Sequence, residues 1–440
     1  GKLVLRIEDT DTARSTRESE ALLLADLKTL GLTADEGPEQ GGPHPPYRQS
    51  ERQSIFDQYV RKLVDEGRAY RCFCTPQTIE EKREIAIKSG QPPIYDGTCA
   101  RLGEAEVRAR IAGGERAGVR FRAPHETVTF TDLVRGEMEF RAGTVGDFMI
   151  TRSPEQGGED FGIPVYNFSC TVDDHLMELT HVIRGEDHLS NTARQIFLYR
   201  AFGWEIPRFA HLPMVVGMDR QKLSKRNGDA AAHDYLTRGY LPEALLNFLA
   251  LLGWTPPVGT AFQSGHPEVF TIEEMIRVFD LGGLHRNPAA FDPEKLAWMN
   301  GFYIRALAPK DLLSRARLFL EGDPRWFARG EAWLEELLPL VRSEAVVLSD
   351  LPVLARFAID PPELDAPTVA QLAKPVLAGL VAMLPTLDLK ALSAQTGLKG
   401  KALYETIRLV VMGKSHGPEL LPVLKALGPD EIRRRCQRYL

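Results

Sequence analysis

No segment of this sequence stays apolar for the ~18 residues that a membrane span requires, which excludes a spanning helix. Excess positive charge is also missing. The formal net charge is −6, so nothing global argues for a nucleic-acid partner. A local basic surface would still attract phosphate over about one Debye length, roughly 8–10 Å. Cysteine is sparse and odd in number, with five residues at 72, 74, 99, 170 and 436. That count argues against a secreted disulfide framework and for a reducing cytoplasm. Internal repeats and low-complexity tracts are absent. The chain opens Gly1-Lys-Leu-Val-Leu-Arg6 with no Met, basic region or apolar core of a signal peptide, so its start reads as that of a fragment or a processed chain. What remains is ordinary globular composition, 26% charged and 43% hydrophobic, in 440 residues. That length is too great for one core and predicts about two to four domains.

The first part alternates strand and helix. Leu3-Val-Leu-Arg-Ile7 reads as a strand ending at Glu8-Asp-Thr-Asp11, and Ala21, Leu22, Leu24, Ala25 and Leu27 have helical spacing. Ser50-Glu-Arg-Gln53 fits a capping box, before a helical face of Ile55, Phe56, Tyr59, Val60, Leu63 and Val64. From residue 69 to 162 the pattern changes. A cysteine cluster and a helical stretch at 80–88 precede short strands at Val119-Arg-Phe121, Val128-Thr-Phe130 and Met138-Glu-Phe140. This stretch reads as an inserted module and not as more of a parallel sheet. Alternation of strand and helix resumes with a strand at 177–183. A helix to Phe202 follows, capped by Ser190 or Asn191 and stopped by Gly203. His211-Leu-Pro-Met-Val-Val216 is a further buried strand. Helices dominate beyond Gly228, one of them opened by the box Thr271-Ile-Glu-Glu274, and no strand is read after residue 309.

Two clusters carry chemistry. Lys222-Leu-Ser-Lys-Arg226 sets two lysines three apart in a Gly-flanked loop, directly after a strand, where an α/β sheet places its ligands. Cations fixed in this way can hold a polyphosphate from either side, although so short a pattern is also what a solvated basic loop looks like. Cys72-Phe-Cys74 and Tyr95-Asp-Gly-Thr-Cys99 supply three thiols, a plausible start to a tetrahedral zinc site. Three reduced cysteines left from a lost site are equally consistent with the sequence.

Several motifs then fall in one order. Arg6-Ile-Glu-Asp-Thr-Asp11, Tyr47-Arg-Gln-Ser-Glu-Arg52, Arg184-Gly-Glu-Asp-His188, Leu212-Pro-Met-Val215, the lysine loop, Tyr240-Leu-Pro-Glu-Ala-Leu-Leu-Asn247 and Leu251-Leu-Gly-Trp254 together resemble the bacterial-type glutamyl-tRNA synthetases. The lysine loop itself is similar to the second ATP signature of the class I aminoacyl-tRNA synthetases. The resemblance implies a multidomain α/β plus all-α protein. A Rossmann-like nucleotide-binding domain would occupy 1–68 and 163–220, interrupted at 69–162 by an α+β acceptor-stem module. The signature loop and a helical stem-contact domain would span 221–308, and a helical anticodon-binding region 309–440.

On matching positions, the resemblance implies that Glu8 binds the ammonium of a glutamate substrate, with Tyr166 and Arg184 also on the amino acid. Asp187, Lys222, Ser224, Lys225 and Arg226 would bind ATP, with Lys222 and Lys225 catalytic on the phosphates. Magnesium would accompany the nucleotide. Lys399, Lys401 and Arg408, near Thr396-Gly-Leu-Lys-Gly-Lys-Ala-Leu-Tyr404, are candidates for RNA phosphate contact. For zinc, members with a Cys-x-Cys pair carry Cys-x-His next, and here Arg101 stands where that His would be. Tyr95 instead matches a shorter, related enzyme that modifies a tRNA base. The first ATP signature, His-x-Gly-His, does not occur in the sequence, so the chain as given is expected to be inactive. The expected partners are tRNA(Glu), with tRNA(Gln) left open, and L-glutamate, for a cytoplasmic monomer. A non-catalytic tRNA-binding paralogue is the rival reading.

Overall fold

A computed structural model describes residues 1–10, 15–154, 160–221 and 231–440. The chain divides into two compact units. The first takes the N-terminal half together with Leu251–Thr260 and Met275–Phe291, and the second takes Ala261–Glu274, Asp292–Leu440 and the segment ending at Ala250.

The first unit holds two main sheets. Strands β1 (Ala69–Cys72), β2 (Gly118–Phe121) and β5 (Phe148–Thr151) pair antiparallel in the order β1-β2-β5. Strands β3 (Val128–Asp132), β4 (Gly136–Phe140), β6 (His181–Gly185) and β7 (Arg208–Leu212) form the second, in the order β4-β3-β7-β6. There β6 and β7 run parallel, with Arg184 opposite His211, and β3 runs parallel to β7 through Asp132 and Phe209. The β3–β4 hairpin therefore does not stay within an inserted module. It extends the parallel pair. Leu3–Ile7 is extended but joins only through isolated bridges, Val4 to Glu36 and Ile7 to Arg48.

Helices pack beside these sheets: α1 (Arg17–Thr29), α2 (Gln53–Asp65), α3 (Pro76–Lys88), α4 (Glu104–Ala112), α5 (Tyr166–Leu176) and α6 (Leu189–Phe202); α7 (Ala232–Thr237) and α8 (Pro242–Gly253) follow in the chain. Phe56, Val60 and Leu63 of α2 join Phe168, Val172, Ile196, Phe197 and Phe209 in one core. The expected strand at 177–183 starts later, at His181, because 166–176 is helical and Glu178 turns the chain with φ 56°. Helix α6 ends as expected, on Gly203 in the left-handed region at φ 71°, which glycine adopts without a Cβ clash. Its start differs, since neither Ser190 nor Asn191 caps it. Nor does Ser50 cap α2. It lies in a short 3-10 turn and donates its hydroxyl to Asp9 at 2.6 Å.

The second unit is helical, and among the described residues no strand falls after residue 309, as expected. The box at α9 (Ile272–Val278) forms in both directions. Thr271 N–H donates to Glu274 at 2.9 Å, and Glu274 N–H to the Thr271 hydroxyl at 3.2 Å. Helices α11 (Pro309–Leu320) and α12 (Glu331–Val341) share a core of Leu312, Ala316, Leu320, Leu334, Leu337 and Leu338 with the helices that follow to residue 437. Buried Asn300, in α10 (Pro293–Ala306), staples this unit. Its Oδ1 accepts from Leu241 N at 2.8 Å and its Nδ2 donates to Val346 O at 2.6 Å. Asn300→Leu strands the buried Leu241 N–H, at roughly 1–3 kcal/mol, and removes the donor to Val346 O. The expected result is a lower urea midpoint, read by circular dichroism, and an unchanged midpoint would refute the staple.

Candidate active site

Helix α5 presents Tyr166, Cys170, Asp173 and Asp174 on one side, since residues three and four apart share a helix face. Asp173 and Asp174 are buried, and burial raises the pKa of both even though arginines oppose it. Asp173 accepts from Arg52 Nε at 2.7 Å and Gln49 Nε2 at 2.9 Å. Asp174 accepts from Arg6 at 2.8 Å. Arg6 turns its other terminal nitrogen to Glu8, 3.0 Å away. The motif around residue 6 and the motif around residue 50 are thus tied to the same helix.

Glu8 is more than a turn cap. Its Oε1 accepts from Arg6 and from the Cys170 thiol, both at 3.0 Å, while its side chain keeps 39% exposure. Burial, with the adjacent Glu8 charge, pushes the Cys170 thiol well above its ordinary range, so it is a neutral donor here. A cavity of about 460 Å³ is lined by Arg6, Glu8, Asp9, Arg17 and Ser50. Tyr166, on the same helix face as Cys170, is likewise pushed up, first by burial and then by Cys170, with Arg184 opposing and Glu8 adding.

Arg184 ends β6 with most of its donors engaged. Its Nε donates to His211 Nε2 at 3.1 Å. One terminal nitrogen reaches Thr192 and Gln195, each at 2.8 Å, and the other reaches the Tyr166 hydroxyl at 3.2 Å. A free two-pronged fork is therefore not what this arginine offers. It offers the remaining N–H of one nitrogen beside the O–H of Tyr166, which accepts from Arg184 and so has its own proton to give. Glu186, two residues on, accepts from Met214 N at 3.0 Å and pairs with Arg135. Asp187 follows in a short 3-10 turn at the end of the same strand. The lysine-loop residues Lys222, Ser224, Lys225 and Arg226 lie outside the described residues.

The cysteine cluster closes as the spacing anticipates. The sulfurs of Cys72, Cys74 and Cys99 lie within 4.8 Å of one another, Cys74 and Cys99 at 3.6 Å. The Tyr95 oxygen sits 3.3 Å from Cys74 and 3.7 Å from Cys72. A zinc–sulfur distance of about 2.3 Å implies tetrahedron edges of about 3.8 Å, and these four atoms match that size. Burial opposes ionisation of Cys99, but hydrogen bonds from Tyr95, Phe73 N–H and the neighbouring thiols carry its pKa below the ordinary value. Burial pushes Cys74 up to about 11. Arg120 donates to Cys72 at 3.2 Å and stacks on the Tyr95 ring at 3.9 Å. Arg101 turns away, donating to Asp96 O at 3.1 Å. In the helical unit Arg408 is engaged with Pro418 O and Lys401 lies 3.8 Å from Glu405.

Sequence reasoning missed the residues that hold the site: Arg6, Gln49, Arg52, Asp132, Asp173, Asp174 and His211. For Asp173 and Asp174 a signal existed, the helical spacing from Tyr166. For Asp132 there was none, because it lies on β3 and reaches Arg184 on β6 only through His211 of the intervening β7.

The imidazole of His211 is fully buried and its pKa is lowered, first by burial, with Asp132 opposing and Arg184 and His188 adding to the fall. His175, stacked on Trp204 at 3.9 Å, is lowered by burial too. A histidine whose folded pKa lies below its unfolded value of about 6.5 binds protons more readily when unfolded. Its contribution to stability is therefore complete above that pH and is lost as pH falls below it. Asp132 is shifted in the same direction: burial opposes it, but backbone N–H groups and the imidazole hold it below the usual carboxylate range. Its contribution persists until pH falls through about 4. Equilibrium unfolding from pH 8 to 5 is expected to show stability declining below about 6.5, with a shallower decline in His211→Gln. Equal slopes in the two proteins would contradict this.

Residues 1–298 match the family described as tRNA synthetases class I (E and Q), catalytic domain, and residues 311–440 match an anticodon binding domain. A glutamate–tRNA ligase of Natranaerobius thermophilus is 39% identical over all of this chain and 92% of its own length. One of Fervidobacterium nodosum is 40% identical with the same coverage. The crystal structure of a glutamate–tRNA ligase from Elizabethkingia meningosepticum, in complex with its amino acid, superposes with a TM-score of 0.87 at 28% identity, covering all of this chain and 92% of that one.

Proposed function

The chain belongs to the class I tRNA synthetases (E and Q), and on that membership we propose that it is a glutamate–tRNA ligase. The whole-chain likeness to such ligases, with catalytic and anticodon-binding parts in the same order, carries this reading. ATP and glutamate form glutamyl-adenylate with release of pyrophosphate, and the acyl group then passes to the terminal ribose of tRNA. Glu8 receives the substrate ammonium. The Tyr166 hydroxyl and the remaining Arg184 N–H, a pair of donors 3.2 Å apart at their heavy atoms, receive a carboxylate. Asp187 contacts the nucleotide, and Lys222, Ser224, Lys225 and Arg226 hold its phosphates, with Lys222 and Lys225 stabilising charge on the leaving pyrophosphate. Magnesium, arriving with the nucleotide, supplies charge neutralisation there. Catalysis on this reading is positioning and electrostatics, with no general base.

In this reading residues 1–68 and 163–220 form the nucleotide-binding domain and 69–162 the acceptor-stem module. Residues 221–308 carry the signature loop and stem contacts, and 309–440 read the anticodon region. The protein works as a cytoplasmic monomer on tRNA(Glu). Charging assays with radiolabelled glutamate on separate glutamate and glutamine tRNAs test the activity and the discrimination together. Tight tRNA binding with no charging, by this chain and by one that also carries a His-x-Gly-His segment upstream, would favour the non-catalytic paralogue. Arg184→Lys keeps the charge but loses the planar donors. The KM for glutamate is expected to rise about tenfold or more, with the KM for ATP little changed.

Cys72, Cys74, Cys99 and Tyr95 hold zinc in this reading, in a structural role that fixes the base of β1 against residues 95–101. The purified chain is expected to contain about one zinc per molecule by elemental analysis. Cys99→Ser should lose most of it, and a metal-free wild-type chain with free thiols would sink the assignment.

A further inference from the structure

A guanidinium at the end of a strand points reliably only if its donors are engaged. Arg184 is engaged on several sides, and the partner of its Nε–H is an imidazole. Arginine only donates, so His211 Nε2, 3.1 Å away, is the acceptor of that bond, with the Thr192 hydroxyl on the same nitrogen at 3.1 Å. The single ring proton then sits on Nδ1, 2.6 Å from Asp132 Oδ2. Asp132 is itself fixed, because its Oδ1 accepts from the backbone N–H groups of Val134, Arg135 and His211 at 2.9, 2.8 and 3.2 Å. Sheet register aligns the three residues. Arg184 lies opposite His211, while Asp132 lies opposite Phe209, which shares a strand face with His211. Asp132 and His211 are both buried, so no water competes for these bonds.

We propose that Asp132 and His211 are a positioning pair for Arg184: the carboxylate selects the Nδ1–H tautomer, and the bare Nε2 sets the plane of the guanidinium that meets the substrate carboxylate. This rests on the reading of Arg184 and Tyr166 as the glutamate-binding donors. Neither Asp132 nor His211 touches substrate. Their effect passes through Arg184.

Asp132→Asn discriminates this role from simple structural support. The asparagine oxygen keeps the backbone acceptor, but its amide presents N–H to Nδ1. The ring proton then moves to Nε2, where the Thr192 hydroxyl can accept it but Arg184 Nε–H loses its acceptor, with the packing volume nearly unchanged. His211→Gln is the conservative companion, since its amide oxygen can still accept from Arg184.

The test uses the full chain. Nitrogen-15 NMR of the His211 ring, assigned by its loss in His211→Gln, reads the tautomer. Calorimetric titration with glutamate reads the consequence, together with the KM values for glutamate and ATP on the chain that also carries a His-x-Gly-His segment upstream. The wild type should carry its proton on Nδ1. Asp132→Asn should carry it on Nε2, with glutamate affinity down about tenfold, the KM for ATP within about twofold and a cooperative melt retained. His211→Gln should bind glutamate within about threefold of the wild type. A wild-type Nε2–H tautomer, or wild-type glutamate affinity in Asp132→Asn, would overturn the proposal. Should Asp132→Asn fail to fold, His211→Leu against His211→Gln decides: equal affinities overturn the pair, and a loss confined to Leu supports it. Failure of the underlying reading looks different. Then the wild type does not bind glutamate, or Arg184→Lys binds it unchanged. An impaired Arg184→Lys beside an unimpaired Asp132→Asn sinks the positioning pair alone.

Discussion

Two adjacent carboxylates inside a protein cannot both be left without partners. Asp173 and Asp174 sit side by side on α5 and are buried, and removing one partner of such a charge typically costs about 3–5 kcal/mol. Their partners come from far along the chain. Arg6 lies beyond one end of α1, and Gln49 and Arg52 lie just before α2. Satisfying the pair therefore brings the N-terminal segment, the segment before α2 and α5 to one place. Glu8 and Tyr166 are carried there as neighbours of these groups in sequence or on the helix face. The substrate-facing side chains of the proposed ligase are placed by a network that takes no part in the chemistry.

A similar division holds at the strand ends. The parallel pair β6 and β7 fixes where Arg184 and Glu186 emerge, but their orientation comes from a third strand. Asp132 reaches His211, and Arg135 reaches Glu186, each from the β3–β4 hairpin. The cysteine cluster is organised by a different sheet. Cys72 closes β1, and Arg120, from the adjacent β2, supplies the positive neighbour that a cluster of sulfurs favours. Such an arginine has no counterpart in the spacing of the cysteines themselves.

Features set by local rules were legible in the sequence. Gly203 as a helix stop, the reciprocal cap of Thr271 and Glu274, and the strands at 119, 128 and 138 all follow from turn chemistry or period, whereas Tyr95 beside the cysteines was implied by the resemblance alone. Failures occurred where a distant partner displaced a local one. Ser50 has the spacing of a cap, yet its hydroxyl goes to Asp9, 41 residues away. Leu3–Ile7 has the pattern of a strand but finds only isolated bridges. The resemblance puts Arg184 on the amino acid, and no sequence pattern announces that His211, Thr192 and Gln195 take most of its donors. Identity of site residues was thus more readable than their state of engagement.

The single backbone register between Asp132 and Phe209 bears on how this chain can be cut and recombined. By sequence pattern, 69–162 looks like a cassette that a relative's equivalent could replace whole. The hairpin inside it, however, supplies a strand to the parallel sheet and a carboxylate beneath the proposed amino-acid site. A chimera exchanged at those borders imports a foreign hairpin into the catalytic sheet. Joints placed outside β3 and β4, so that 128–140 stays with its own β7, would transplant the cysteine-bearing sheet while leaving the native underpinning of Arg184 intact.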